Sequence, residues 1–241
     1  MLEVKNLKKN FGDFPAVKGV SFSVKEGEVL GFLGPNGAGK STTMRMITGF
    51  LPPTDGTAVI NGHDIVTDPI AAKRDLGYLP ESAPSYRAMT VRDYLAFIAE
   101  VRGFVGATGA KRVADVIVQA KLEKVADQTI ETLSKGYRQR TAFAAAIIHD
   151  PKVLIMDEPT DGLDPNQKFT VRQMIKEMAT KGKAIIISTH ILEEVDAVCS
   201  KVVVIADGEK KFDGTPAELK ALDPSGKLDV VFRKMTAGEA K

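Results

Sequence analysis

Several things are scarce in this chain of 241 residues, and each scarcity excludes something. It has one cysteine, Cys199, so no internal disulfide can form, and a reducing compartment suits it. It has almost no excess charge: 33 basic against 31 acidic residues gives +2, too little for a strong nucleic-acid field. No run approaches the roughly 18 uninterrupted apolar residues of a membrane span. The first residues, MLEVKNLKKNF, lack the apolar core of a secretory signal. Internal repeats and low-complexity tracts are absent too. What remains is an ordinary globular composition, 44% hydrophobic and 27% charged, long enough for one large domain or two small ones. A cytoplasmic protein is expected; any membrane part of its task would belong to a partner.

The most informative stretch is Gly34-Pro35-Asn36-Gly37-Ala38-Gly39-Lys40-Ser41-Thr42. It follows Val29-Leu30-Gly31-Phe32-Leu33, which reads as a buried strand, and precedes Thr43 to Gly49, which reads as a helix. Strand, glycine-rich loop and helix N-terminus form the setting of a phosphate-binding loop. The glycines let successive backbone N–H groups point inward, and the helix end adds to that field. Lys40 supplies a mobile charge for the β- and γ-phosphates. The Ser41 hydroxyl is a candidate Mg²⁺ ligand, and Thr42 lies toward the α-phosphate.

Around that loop the chain reads as α/β. Leu2–Leu7 and Ala16–Val24 alternate apolar and polar residues, predicting an antiparallel sheet beside a parallel core. Thr57–Asn61 and Leu76–Pro80 read as short strands, with Gly62-His63-Asp64 a turn and Glu81–Arg87 a loop. From Thr90 to about Asp150 no β-like run occurs. One helix opens at the capping box Thr90–Asp93, Gly103–Gly109 reads as a break, Lys111–Leu122 as a second helix, and Ser134 opens a third. This predicts a helical subdomain inserted in the core. Strands resume at Val153–Glu158, Ala184–Ser188 and Val202–Ile205, with a helix over Gln167–Thr180, another opening at His190, and a helix start at Thr215-Pro216-Ala217-Glu218. The last dozen residues read as a polar, fraying end.

Three further places carry chemistry. Asp157 and Glu158 end an apolar strand, where parallel sheets bind ligands. In a phosphate-loop fold the first carboxylate holds Mg²⁺ and the second polarises the attacking water. His190 also follows a strand. It is a cap or core residue, or, if its strand neighbours the one ending at Asp157, a group that reaches the γ-phosphate. Leu133-Ser134-Lys135-Gly136-Tyr137 opens a helix with a hydroxyl and a glycine: an ordinary Ser cap, or an anion site serving a nucleotide held by another molecule.

Together these motifs resemble the ATP-binding subunits of ABC transporters over about Met1 to Leu222. Gly34–Thr42 matches Walker A; Leu133–Tyr137 the signature motif, with Arg138-Gln139-Arg140 following; Val153–Glu158 Walker B with its catalytic glutamate. Asp161-Gly162-Leu163-Asp164 matches the D-loop and Thr189-His190 the switch histidine. The resemblance implies a RecA-like P-loop NTPase core, an N-terminal antiparallel β-subdomain and the helical subdomain. Core and β-subdomain would comprise 1–89 and 151–222, the helical subdomain about 90–150, and 223–241 a C-terminal tail. It also implies a head-to-tail dimer closing on two ATP molecules. One subunit would offer Phe11 for adenine, the loop Gly34, Pro35, Asn36, Gly37, Ala38, Gly39, Lys40, Ser41 and Thr42, and Glu81, Asp157, Glu158 and His190. The other would offer Ser134 and Gly136. Metal ligands would be Ser41, Glu81 and Asp157, with Glu158 and His190 catalytic.

The sequence departs from the family's commonest pattern in four places. Phe11 stands for a Tyr, Glu81 for a Gln, Lys135 and Tyr137 for a Gly and a Gln of the signature, and Asp161-Gly162 for Ser-Ala. The pairing of Gly77-Tyr78-Leu79-Pro80-Glu81 with the signature is similar to ABC-2 export ATPases of gliding motility, sodium extrusion and antibiotic export. The resemblance implies ATP hydrolysis driving an integral-membrane permease, peripheral on the inner membrane face, with docking around Ser82–Met89 and no nucleic acid. The rivals are a soluble ABC ATPase acting on nucleic acid or ribosomes, and a non-hydrolysing nucleotide switch.

Overall fold

In the computed structural model, described for residues 1–82 and 85–236, the chain builds two sheets. The first is antiparallel: β1 (Leu2–Phe11) and β2 (Phe14–Val24) form a hairpin, and β4 (Asp55–Ile60) and β5 (His63–Asp64) complete the order β2-β1-β4-β5. The alternation of β1 and β2 puts Leu2, Val4, Val20, Phe22 and Val24 into the core and their neighbours into solvent. Both strands extend past the alternating runs, so their turn closes at Gly12-Asp13, where Gly12 takes φ +58°.

The second sheet holds β3 (Val29–Leu33), β6 (Leu76–Leu79), β7 (Val153–Asp157), β8 (Ala184–Thr189), β9 (Lys201–Ala206) and β10 (Glu209–Gly214). Its order is β10-β9-β3-β8-β7-β6, parallel except for β10, which returns antiparallel to β9 through Asp207-Gly208. β3, β7 and β8 are buried along their whole length. Each face of a strand enters a different core: Leu154, Met156, Ile185 and Ile187 join the cluster that contains the central helices. Val153, Ile155, Ala184 and Ile186 join the one beneath the first sheet. This two-sided burial explains why these strands read as unbroken apolar runs. Each fully buried aliphatic side chain contributes about 1.5–3 kcal/mol.

The helices connect these strands. α1 (Lys40–Ile47) follows β3, and α2 (Pro69–Arg74) is a short helix before β6. Between β6 and β7 come α3 (Val91–Val101), α4 (Gly106–Gln119) and α5 (Lys135–Ile147). Thr90 caps α3 and Ser134 caps α5, each side chain accepting a backbone N–H three residues on. α4 starts inside the stretch read as a break. Gly106 sits at its first position, and Gly109 lies so close to the carbonyl of Phe104, 2.5 Å from where a Cβ would be, that glycine is required for packing there. α6 (Pro165–Thr180) and α7 (Leu192–Val198) flank β8. α8 (Pro216–Lys220) carries the capping box of Thr215 and Glu218.

The stretch read as a polar tail contains α9 (Leu228–Thr236). Leu228 and Val231 are buried against Val202 and Val204 of β9 and Leu219 of α8, with Phe232 and Met235 packed beside them. Lys234 and Ser225 bond the Asp223 carboxylate, holding it below the usual carboxylate range and closing the turn into the helix. Residues 237–241 of that stretch lie outside the described residues.

Candidate functional site

Because β3, β8, β7 and β6 run parallel in that order, their C-terminal ends lie side by side. Leu33 is in register with Thr189, Asp157 with Ser188, and Leu79 with Met156. The phosphate loop, His190, the Asp157-Glu158 pair and Glu81 therefore leave the sheet at one edge. This is where a doubly wound sheet forms its ligand crevice. A cleft of about 490 Å³ opens there, lined among others by Phe11, Asn36, Gly37, Gly39, Lys40, Ser41, Thr42, Glu81, Glu158 and His190.

The loop is shaped by its glycines. Gly37 and Gly39 take φ +83° and +100°, and Ala38 N–H donates to Pro35 O at 3.2 Å. A Cβ on Gly39 would come 2.7 Å from Ala16 O, and one on Gly34 would overlap the carbonyl of Ile205. Ala38 O accepts from Gly208 N–H at 3.2 Å, and Gly208 O from Lys18 N–H at 2.9 Å, so the loop is anchored between the two sheets.

Lys40 is buried, and its ammonium donates to Gly34 O at 2.8 Å and Pro35 O at 3.2 Å. Burial pushes its pKa below the ordinary lysine value, against the opposing pull of Glu158, Asp157 and Glu81. Glu158 Oε1 lies 3.8 Å from that ammonium and 2.9 Å from His190 Nδ1; Glu158 Oε2 is buried without a partner. Glu158 holds φ +49°, stabilised by its N–H donating to Ser188 O at 2.9 Å. Asp157, 3% exposed, accepts from Ser188 Oγ at 2.6 Å. Tyr78, beside Asp157 and Arg45, has its hydroxyl pushed up to about 12, mainly by burial.

The donor set fits a hard divalent cation bound with a polyphosphate. Asp157, Glu81 and Glu158 all act on the single ammonium of Lys40, leaving excess negative charge where phosphates would lie. The Ser41 hydroxyl and the Glu81 carboxyl line the same cleft. Among the described residues no cluster of three His, Cys, Asp or Glu side chains makes an all-protein metal cage, and Mg²⁺ seldom uses one.

Gly34, Pro35, Ala38 and Asp157 stand behind the lining. Ser134 and Gly136 do not line the cleft of their own chain. Ser134 is exposed at the start of α5, and Gly136 is covered by Gln167, whose Oε1 is 2.6 Å from where a Cβ would be. Two lining residues escaped the sequence reading, Phe14 and Ala16; a third, Asp161, was matched there to the D-loop but not placed in this cleft. Phe14, 65% exposed, faces the opening with Phe11 across the β1–β2 turn. The only signal for it was an aromatic ring at an exposed hairpin end.

Comparison with known proteins agrees with this arrangement. Residues 17–161 match the sequence family described as ABC transporter. The chain is 38% identical over 219 residues to the linearmycin resistance ATP-binding protein LnrL of Bacillus subtilis, covering 91% of this chain and 70% of LnrL. A solved ATP-binding subunit of an ABC transporter superposes with TM-score 0.86 at 30% identity, covering 98% of this chain and 99% of that one. CbiO1 of Clostridium perfringens, part of the ABC transporter complex cbiONQ, superposes with TM-score 0.82 at 31% identity over 91% of this chain and 90% of its own.

Proposed function

We propose, from the premise that this chain belongs to the ABC transporter family of ATP-binding, ATP-hydrolysing subunits, that it powers an exporter by closing head to tail on a second ATPase subunit. The second subunit is a copy of itself. Each ATP lies between the cleft of one chain and Ser134 and Gly136 of the other. The observation that carries this reading is the division of the site. Lys40, Glu81, Glu158 and His190 converge in one cleft, whereas the anion-facing start of α5 lies outside it.

In this reading the chain spans one ATPase domain over 1–222, with 90–150 its helical subdomain. Phe11 stacks on adenine, and Gly34 to Thr42 wrap the phosphates. Lys40 exchanges its backbone carbonyl partners for phosphate oxygens. Ser41, Glu81 and Asp157 would hold Mg²⁺, which when bound would supply positive charge against the nucleotide phosphates. Glu158 accepts a proton from the attacking water. His190 donates to Glu158 through Nδ1, because a carboxylate only accepts, and so presents Nε2 toward the γ-phosphate. Bound ATP supplies charge that both halves neutralise and so holds them together, and hydrolysis with phosphate release loosens them.

The membrane partner would dock in a second cleft of about 870 Å³ between α1, α2 and β6 on one side and α3 and α5 on the other. Phe50 and Val101, 77% and 67% exposed, offer apolar surface, and Arg45, Lys73 and Arg102 surround it with positive charge. That suits a short helix with apolar and acidic side chains. Ser82 lines this cleft, and the ring of Tyr86 packs on Phe97 at 5.4 Å; Ala83 and Pro84 lie outside the described residues. Among the described residues no helix is long and apolar enough to cross a membrane; in this reading the chain is a peripheral subunit held to the cytoplasmic face by its membrane partner. The exporter assignment draws on the likeness to LnrL, a linearmycin resistance protein. Purification of the chain from its native membrane tests the reading. Co-isolation with an integral-membrane protein supports it, and co-isolation with nucleic acid or ribosomes overturns it.

A further inference from the structure

Lys135 occupies the first position of α5, where the helix field disfavours a cation, and the first turn of α5 contains no acidic residue to offset it. Its compensation comes from the loop between β7 and α6. The Lys135 ammonium lies 3.7 Å from the carboxylate of Asp161. It rests directly over Gly162, which takes φ +62°; a Cβ there would meet the ammonium and displace it. The two segments are held together on either side of this pair. Gln139 Nε2 donates to Pro159 O at 3.1 Å in a buried bond, and Gln167 packs over Gly136. Asp161 in turn lines the nucleotide cleft with Glu81 and Glu158, and Lys40 is the one ammonium or guanidinium in that lining.

We infer that Lys135 acts on its own chain's cleft: held over Gly162, it offsets the Asp161 carboxylate and so raises that cleft's affinity for nucleotide phosphates. It is a positioning residue, working through Asp161. This separates it from its neighbours Ser134 and Gly136, which serve the other subunit's nucleotide in the proposed dimer. The inference rests on the nucleotide reading of the cleft. Coulomb attraction between half-exposed groups is modest and screened by salt, so the effect must be small and salt-dependent.

The test is calorimetric titration of Mg²⁺-ADP, which lacks the γ-phosphate that closes the dimer, into the full chain at low and high ionic strength. Lys135→Ala should weaken ADP binding by about two- to fivefold at low salt and by less at high salt, with the thermal midpoint little changed. Lys135→Arg should keep most of the affinity. In an Asp161→Asn background, Lys135→Ala should have no further effect. Unchanged ADP affinity on Lys135→Ala, or an equal loss in the Asp161→Asn background, overturns the inference. So does a Lys135→Ala effect confined to ATP-driven dimerisation. If Lys40→Ala binds ADP as tightly as the unmodified chain, the nucleotide reading of the cleft fails instead.

Discussion

The imidazole of His190 and the carboxylate of Glu158 meet across two neighbouring strand ends, Nδ1 to Oε1 at 2.9 Å. Neither ends up there by side-chain freedom alone. The backbone of Glu158 is held at φ +49° by its bond to Ser188, and His190 follows β8 directly. Removing the imidazole takes the donor from Glu158 Oε1, beside an Oε2 that already has none, and takes away Nε2. His190→Ala should lower the steady-state ATP hydrolysis rate by at least about tenfold with KM nearly unchanged, as expected when a group acts in the transition state. A phosphate-release assay checks this; unchanged turnover would remove His190 from the mechanism.

Lys40 donates to two loop carbonyls and pairs with Glu158. Lys40→Ala removes the one full positive charge in the phosphate cradle. Charge-assisted bonds contribute about 1.5–3 kcal/mol each, so ATP affinity should fall by roughly tenfold to over a hundredfold. Equilibrium titration with ATP and Mg²⁺ measures it, and micromolar binding equal to that of the unmodified chain would contradict the assignment.

Phe11 and Phe14 flank the cleft opening, 51% and 65% exposed. An exposed ring stacked on a base contributes about 1–3 kcal/mol. Phe11→Ala should therefore weaken ATP by about five- to a hundredfold, with inorganic triphosphate unaffected; Phe14→Ala should do less. Equal losses for ATP and triphosphate would mean the ring supports the loop and not the base.

His149 links the end of α5 to β6. Its Nε2 donates to Leu76 O at 2.9 Å, and Nδ1 is buried with no partner. Burial first, and Arg102 second, push its pKa from 6.5 down to about 4. Between those values the unfolded chain binds the extra proton and the folded chain does not, so stability rises with pH. The contribution is complete above about pH 6.5 and is lost as pH falls toward 4, on the order of 3 kcal/mol at most. Urea unfolding at pH 7 and pH 5 should show a smaller loss on acidification for His149→Gln, which keeps a donor for Leu76 O. An identical loss would place the titration elsewhere.

Much of this architecture is legible in the residues. β3, β7 and β8 are buried on both faces and have no polar interruptions, so continuous apolar runs mark them. Thr90, Ser134 and Thr215 each cap a helix through the side-chain oxygen their identity suggests. What escaped depends on tertiary partners. α2 and β5 are too short to carry a period. α9 has its apolar stripe at Leu228, Val231, Phe232 and Met235, but Lys, Asp and Gly around it hid a pattern that matters only because β9 is there to receive it. Phe14 enters the cleft through the packing of one turn against another, and Lys135 reaches Asp161 from the start of α5; no local spacing encodes such meetings.

The central claim is that two incomplete pockets close on ATP. Light scattering on Glu158→Gln tests it most directly, because that substitution removes the proposed general base and leaves the loop intact. With Mg²⁺-ATP the protein should hydrolyse at least about a hundredfold more slowly and run at twice the monomer mass, returning to the monomer with ADP. A monomer at saturating ATP, or turnover equal to that of the unmodified chain, would contradict the account.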